Sequence, residues 1–196
     1  MKRLCVYCGS SPGALPAYVE AARGLGALMA ARGLELVYGG GNVGMMGEVA
    51  QSVLDRGGHV IGVIPRDLVK REVAHTGLAD LRIVDSMHER KALMAELADA
   101  FVALPGGIGT LEELLEVMTW AQLGLHAKPC GVLNVEGYFD RLLDFLDHVS
   151  EQCFLHPAHR GMLLSAERAE DLLEAFANYR PPAVDKAAWA LAKGGR

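Results

Sequence analysis

Three short turns of small residues carry the first chemical signal: Gly9-Ser10-Ser11-Pro12-Gly13, Gly39-Gly40-Gly41-Asn42-Val43-Gly44 and Gly106-Gly107-Ile108-Gly109-Thr110. Each follows an apolar run of strand length and leads into a segment of helical periodicity. Glycines let a backbone approach an anion, and the helix behind presents unpaired N–H groups at its positive dipole end. One such turn is explained by a tight connection. Three at equivalent strand ends point to a phosphorylated small molecule, with Ser10, Gly40, Gly41, Gly44 and Gly106 as candidate contacts.

Two sets of charges sit beside these turns. Ser86 and Glu89 have the spacing of a capping box, which starts a helix at Ser86 and puts Arg90 and Lys91 in its opening turns, where the dipole disfavours cations. Their helical neighbours three and four residues away include no carboxylate, so no pairing within the helix accounts for them. An anion arriving at the sheet's carboxyl edge would. Glu113 follows the third turn, with Leu111, Leu114, Leu115 and Met118 forming an apolar stripe on another side of the same helix. As a residue pattern, Thr110 and Glu113 read equally as a second capping box in a first turn, or as a carboxylate facing a ribose whose 5′-phosphate rests on Gly106–Thr110. Gly39, Gly41 and Gly44 also fit G-x-G-x-x-G, but the next strand ends Val63-Ile64-Pro65-Arg66, without the carboxylate a dinucleotide ribose requires.

The elements that position these residues alternate. Strands are expected at Leu4–Cys8, Glu35–Tyr38, His59–Ile64, Leu81–Val84, Ala100–Leu104 and Cys130–Asn134. Helices are expected from Pro16 to Arg32, after Gly44 to Arg56, and over His88–Ala98, Thr110–Leu123, Phe139–Glu151 and Ala169–Asn178. Unbroken apolar strands alternating with helices define an α/β chain: a doubly wound, Rossmann-like parallel sheet with helices on both faces. Residues 1–180 are expected to form a single domain, and 181–196 an Ala-rich tail, with a helix around Trp189.

The chain has 196 residues, half of them apolar, and a net charge of −5. That excess of acid speaks against a nucleic-acid binder. No apolar run has the ~20 residues that span a bilayer, and no export signal is readable behind Lys2-Arg3, so a cytoplasmic protein is expected. Cys5 and Cys8 have half a zinc-site spacing, but in a strand they point to opposite faces and read as buried thiols. The seven histidines show no metal-ligand pairing, so no metal is expected.

Three motifs together, Tyr38-Gly39-Gly40-Gly41-Asn42-Val43-Gly44-Met45-Met46-Gly47, Met87-His88-Glu89-Arg90-Lys91 and Pro105-Gly106-Gly107-Ile108-Gly109-Thr110-Leu111-Glu112-Glu113, resemble the Lonely Guy family over about Leu4 to Asn178. These are the cytokinin riboside 5′-monophosphate phosphoribohydrolases, formerly labelled lysine decarboxylases. The resemblance implies a homodimer that cleaves the N-glycosidic bond of a nucleoside 5′-monophosphate to a free adenine-type base and ribose 5-phosphate, with no cofactor. It makes Arg90 and Glu113 the catalytic pair. It makes Glu72, Lys91, Gly107, Ile108, Gly109, Thr110, Leu111, Glu112 and Thr119 substrate contacts. The alternative is a non-catalytic nucleotide or molybdenum-cofactor carrier, which has no need of both Arg90 and Glu113. The decarboxylase label requires pyridoxal phosphate on a Schiff-base lysine, whereas Lys91 sits among groups suited to bind phosphate or ribose.

Overall fold

The computed structural model describes residues 1–69, 74–184 and 189. Seven strands form one sheet: β1 (Arg3–Tyr7), β2 (Glu35–Tyr38), β3 (Val60–Pro65), β4 (Asp80–Val84), β5 (Ala100–Ala103), β6 (Cys130–Leu133) and β7 (Leu163–Ala166). Their order is β4-β3-β2-β1-β5-β6-β7, and every pairing is parallel. The expected doubly wound architecture is therefore present, with β7 added. Its residues, Leu163-Leu164-Ser165-Ala166, are too short and mixed an apolar run to announce a strand.

Side chains of β1 alternate between two cores. Leu4 and Val6, with Cys8 just beyond the strand, join one, whereas Cys5 and Tyr7 join the other. The two cysteines thus lie on opposite faces, as the strand period requires. The first core is covered by α1 (Pro16–Ala31), α2 (Gly44–Leu54) and α8 (Ala169–Asn178). The second is covered by α4 (Met87–Leu97), α5 (Ile108–Gln122) and α6 (Asp140–Glu151), with Phe101 of β5 fully buried at its centre. Short helices α3 (Arg66–Val69) and α7 (Pro157–Arg160) fill connections.

Local sequence explains the ends. Pro16 opens α1, and Gly33 closes it at φ 64°, with the Leu34 N–H donating to the Met29 carbonyl. Ser86 caps α4 by accepting from the Glu89 N–H at 3.1 Å. The Glu89 carboxylate accepts from the Asp85 N–H, one residue before the cap, so the reciprocal half of the expected box is displaced by one position. Of the tail, only Trp189 is described beyond residue 184, and its ring meets His156 edge-on at 5.4 Å.

Helices α1 and α2 pack closely because Gly26 leaves room. A Cβ there would sit 2.7 Å from the Val49 carbonyl oxygen and 2.8 Å from the Ser52 Cβ. Gly24, on the same helix, faces open space. Gly26→Val is therefore expected to destabilise the fold by roughly 1–3 kcal/mol. Gly24→Ala should stabilise it by about 0.5–1 kcal/mol through helix propensity. Urea denaturation of the two variants checks both signs, and equal shifts would contradict the packing argument.

Candidate active site

Strands β2, β1 and β5 are neighbours, so the three glycine turns at their carboxyl ends meet along one edge of the sheet. The winding direction reverses between β1 and β5, which is where open α/β sheets bind ligands. A cleft of about 360 Å³ lies there. Its floor is the end of β1, from Val6 through Ser10, and its walls come from the starts of α4 and α5. The turns are stitched together: the Gly9 N–H donates to the Pro105 carbonyl at 3.1 Å, and the Met45 N–H donates to the Gly9 carbonyl at 3.1 Å.

Arg90 is buried, with 6% of its surface exposed, although it is in the opening turns of α4. Its guanidinium lies over Gly39, close enough that a Cβ on that residue would overlap Nη2. Its Nη1 approaches the Met87 sulfur at 3.8 Å, and its Nη2 lies 4.0 Å from Glu113 Oε1. The Arg90 Nε is buried without a hydrogen-bond partner among the described residues. The cation that the helix start disfavours is thus neither solvated nor fully paired. It faces the cleft.

The third turn differs from its expected form in one respect. Helix α5 starts at Ile108 with Gly107 as N-cap, so Thr110 is not a cap and Glu113 is in the second turn, not the first. The capping-box reading fails because the glycines let the helix begin two residues earlier. Thr110 is instead buried with its Oγ1 against Gly106. The first N–H groups of a helix lack intrahelical acceptors. Here they belong to Ile108, Gly109 and Thr110, which all line the cleft with Gly107. In the apolar stripe, Leu114 is fully buried and Leu111 and Met118 pack beside it, but Val117 is buried where Leu115 is exposed.

Glu113 and Glu112 both line the cleft. The Glu113 side chain is 13% exposed and the Glu112 side chain 50%. Lys91 is buried and bonded to α5: its Nζ donates to Glu112 Oε1 and, at 3.0 Å, to Glu116 Oε1. The missing partners of both cations are thus carboxylates of the next helix but one strand, invisible to an i,i+4 search. The Glu112 hydrogen bond, followed by Glu116, holds the Lys91 ammonium above the usual lysine range. Burial pushes the Cys8 thiol far above the ordinary thiol range, and the Glu113 charge adds to it, so Cys8 in the cleft floor is a neutral thiol.

Of the remaining expected contacts, Ser10 lines the cleft. Gly40 packs on Ile64 and Leu81, Gly41 bridges to Ala74, and Gly44, at φ 54°, lies against the Ser10 backbone. These three shape the turn rather than line the cleft, and Gly106, likewise not a lining residue, packs against Thr110 and Gly9. Leu111 belongs to the core, and the Thr119 hydroxyl donates to the Leu115 carbonyl. Glu72 lies outside the described residues. Gly39, Met46, Leu68 and Met87 line the cleft although the sequence names none of them as a contact; Gly39, Met46 and Met87 fall inside its motifs, and Leu68 does not.

A protein-family profile described as "Possible lysine decarboxylase" matches residues 46–176. The cytokinin riboside 5′-monophosphate phosphoribohydrolase LOG1 of Arabidopsis thaliana is 48% identical over 197 residues, covering 99% of this chain and 92% of the relative. The probable cytokinin riboside 5′-monophosphate phosphoribohydrolase LOGL9 of Oryza sativa subsp. japonica is 54% identical over 180 residues, covering 92% of this chain and 79% of the relative. Among solved structures, the molybdenum cofactor carrier protein of Chlamydomonas reinhardtii superposes with a TM-score of 0.68 at 20% identity, covering 90% of this chain and 96% of that one. The molybdenum cofactor binding protein of Rippkaea orientalis gives 0.65 at 22%, covering 91% and 97%. At such identity these two share the fold alone.

The link between α4 and α5 has a pH signature. A raised folded-state value means the Lys91 contribution is fully present below the unfolded lysine value of about 10.4 and is lost as pH rises through the higher folded value. Lys91→Met is expected to melt below the wild type by a constant margin from about pH 7 to 9 and by a shrinking margin above about pH 10.5. Thermal melts across that range check it; a margin that stays flat to the top would remove Lys91 as the linked group.

Proposed function

We propose, from the premise that the chain belongs to the Lonely Guy family of cytokinin riboside 5′-monophosphate phosphoribohydrolases, that this cleft hydrolyses the N-glycosidic bond of an adenosine 5′-monophosphate or its N6-modified form. The products are the free base and ribose 5-phosphate. One observation carries the reading: a largely shielded carboxylate, Glu113, faces a buried guanidinium, Arg90, one helical turn from a row of anion-seeking N–H groups.

The phosphate rests on the amides of Ile108, Gly109 and Thr110, beside the Gly9-Ser10 turn. That anchors the ribose over Glu113. As the bond from C1′ to the base nitrogen breaks, positive charge develops on the ribose, and a fixed carboxylate stabilises it. Glu113 also takes a proton from the water that attacks C1′, while the base leaves with the bonding electron pair and its nitrogen picks up a proton from solvent, so that one water is consumed overall. A guanidinium does not give up its proton, so Arg90 orients Glu113 and the ribose rather than acting as an acid. Cys8, held neutral, is no nucleophile. Met46, Leu68, Met87 and Ile108 give the base an apolar wall.

The chain acts as a homodimer in this reading. Met87, Ile108 and Leu115 are large apolar side chains left exposed on α4 and α5, and they suit burial against a second copy. A monomer mass by light scattering would overturn it.

Two measurements test the chemistry. AMP should release adenine, detectable by chromatography, whereas adenosine should be cleaved far more slowly because binding energy at the phosphate is spent at the reacting centre. Equal turnover of the two would sink the phosphate cradle. Glu113→Gln should retain AMP binding and melt near the wild type, with kcat down by at least about a hundredfold, the usual loss for a preorganised charge. Glu112→Gln, bonded to Lys91 instead, should lose far less. Unchanged kcat in the Glu113 variant would strip the mechanism of its carboxylate.

A further inference from the structure

The loop after β6 contains a strained turn that the proposed chemistry does not use. Glu136 adopts φ 51°, a left-handed conformation rare outside glycine, and Gly137 follows at φ 67°. Such strain costs about 1–3 kcal/mol and persists only where its surroundings enforce it. Here buried Asn134 enforces it: its Oδ1 accepts from the Phe139 N–H at 2.7 Å, and its Nδ2 donates to Asp140 Oδ1 at 2.7 Å. The turn presents Tyr138, 41% exposed, whose hydroxyl donates to the Gly106 carbonyl at 2.5 Å.

That carbonyl belongs to the peptide joining Gly106 to Gly107. In a trans peptide the C=O and the following N–H point in opposite directions. Tyr138 is not among the residues lining the cleft, whereas Gly107 is. A hydroxyl that holds the carbonyl on the side away from the cleft therefore turns the Gly107 N–H toward it. Gly106 itself is hemmed in: a Cβ there would overlap Thr110 Oγ1 and lie 2.8 Å from the Gly9 nitrogen. The Tyr138 ring in turn rests edge-on against Tyr18 at 5.5 Å, and Tyr18 lies under Gly13, where a Cβ would be 2.7 Å from its ring. One aromatic pair thus braces both the Gly9–Gly13 turn and the Gly106 turn.

The geometry points to Tyr138 as a positioning residue for the phosphate cradle: its hydroxyl orients the Gly106–Gly107 peptide so that the Gly107 amide joins those of α5 as an anion donor. This rests on the reading of the cleft as a phosphoribohydrolase site. Tyr138→Phe removes the hydroxyl and keeps the ring contacts with Tyr18 and Phe139. The variant should bind ribose 5-phosphate about fivefold more weakly than the wild type by calorimetry, the size of one hydrogen bond. It should lower kcat/KM for AMP by a similar factor while leaving the slow cleavage of adenosine, which has no phosphate to anchor, unchanged. Its affinity for adenine and its melting temperature should be unchanged. Wild-type-like binding of ribose 5-phosphate by the variant, or a lowered melting temperature as its only defect, overturns the role of Tyr138 alone. Absence of ribose 5-phosphate binding by the wild type overturns the phosphate site itself, and this inference with it.

Discussion

Outward from β1 the chain winds one way through β2, β3 and β4, then the other way through β5, β6 and β7, and this reversal is the constraint on which the site depends. Connections that leave adjacent strands in opposite directions open a gap at the carboxyl edge. Into that gap fall the turns after β1, β2 and β5. The starts of α4 and α5 border the same gap. No single segment holds the site: Gly39 supplies space, α4 supplies Arg90 to fill it, and α5 supplies both Glu113 and the free amides.

The consecutive cations Arg90 and Lys91 point about 100° apart around α4, and Glu112 and Glu113 diverge by the same angle around α5. The two pairs therefore separate into different roles. Lys91 closes tightly on Glu112 and Glu116, tying the helix starts together. Arg90 and Glu113 stop at 4.0 Å, looser than a hydrogen bond, and border the cleft. Both charges are largely shielded from solvent, and both residues border the cleft. That is the arrangement a developing charge on a substrate can use, because low-dielectric surroundings magnify it. The neighbouring bridge fixes the helices so that the looser pair keeps its spacing.

Most of the architecture was legible because it follows from periodicity. The strands of β2 and the ends of α8 fall where the apolar pattern puts them, and the alternation alone implies a parallel sheet. What periodicity cannot carry is the third dimension. The isolated pairing of Gly41 with Ala74, the seat of Arg90 on Gly39, and the bonding of Lys91 to Glu112 join residues from 21 to 51 positions apart. The Thr110-x-x-Glu113 pattern mimics a cap and puts the start of α5 two residues late, whereas the glycines before it accept helical geometry without one. The uncompensated cations of α4 were legible as an anomaly; their resolution by α5 was not. Tyr138 lay in a stretch with no motif, since a hydroxyl reaching a backbone carbonyl 32 positions away leaves no mark in the sequence.

The decarboxylase description of the matching profile meets a physical obstacle at the motif lysine. Amine chemistry through pyridoxal phosphate needs a lysine that loses its proton readily, which proteins achieve by desolvating it or setting another cation beside it. Lys91 has the reverse surroundings. Two carboxylates bond its ammonium and hold it in the charged form, and those bonds occupy the nitrogen that a Schiff base would need. Releasing it would leave Glu112 and Glu116 facing each other without a cation and would loosen α4 from α5, the contact that spaces Arg90 from Glu113. Lys91 does not fit an aldehyde cofactor; it fits the frame that holds Arg90 and Glu113 at the edge of the cleft.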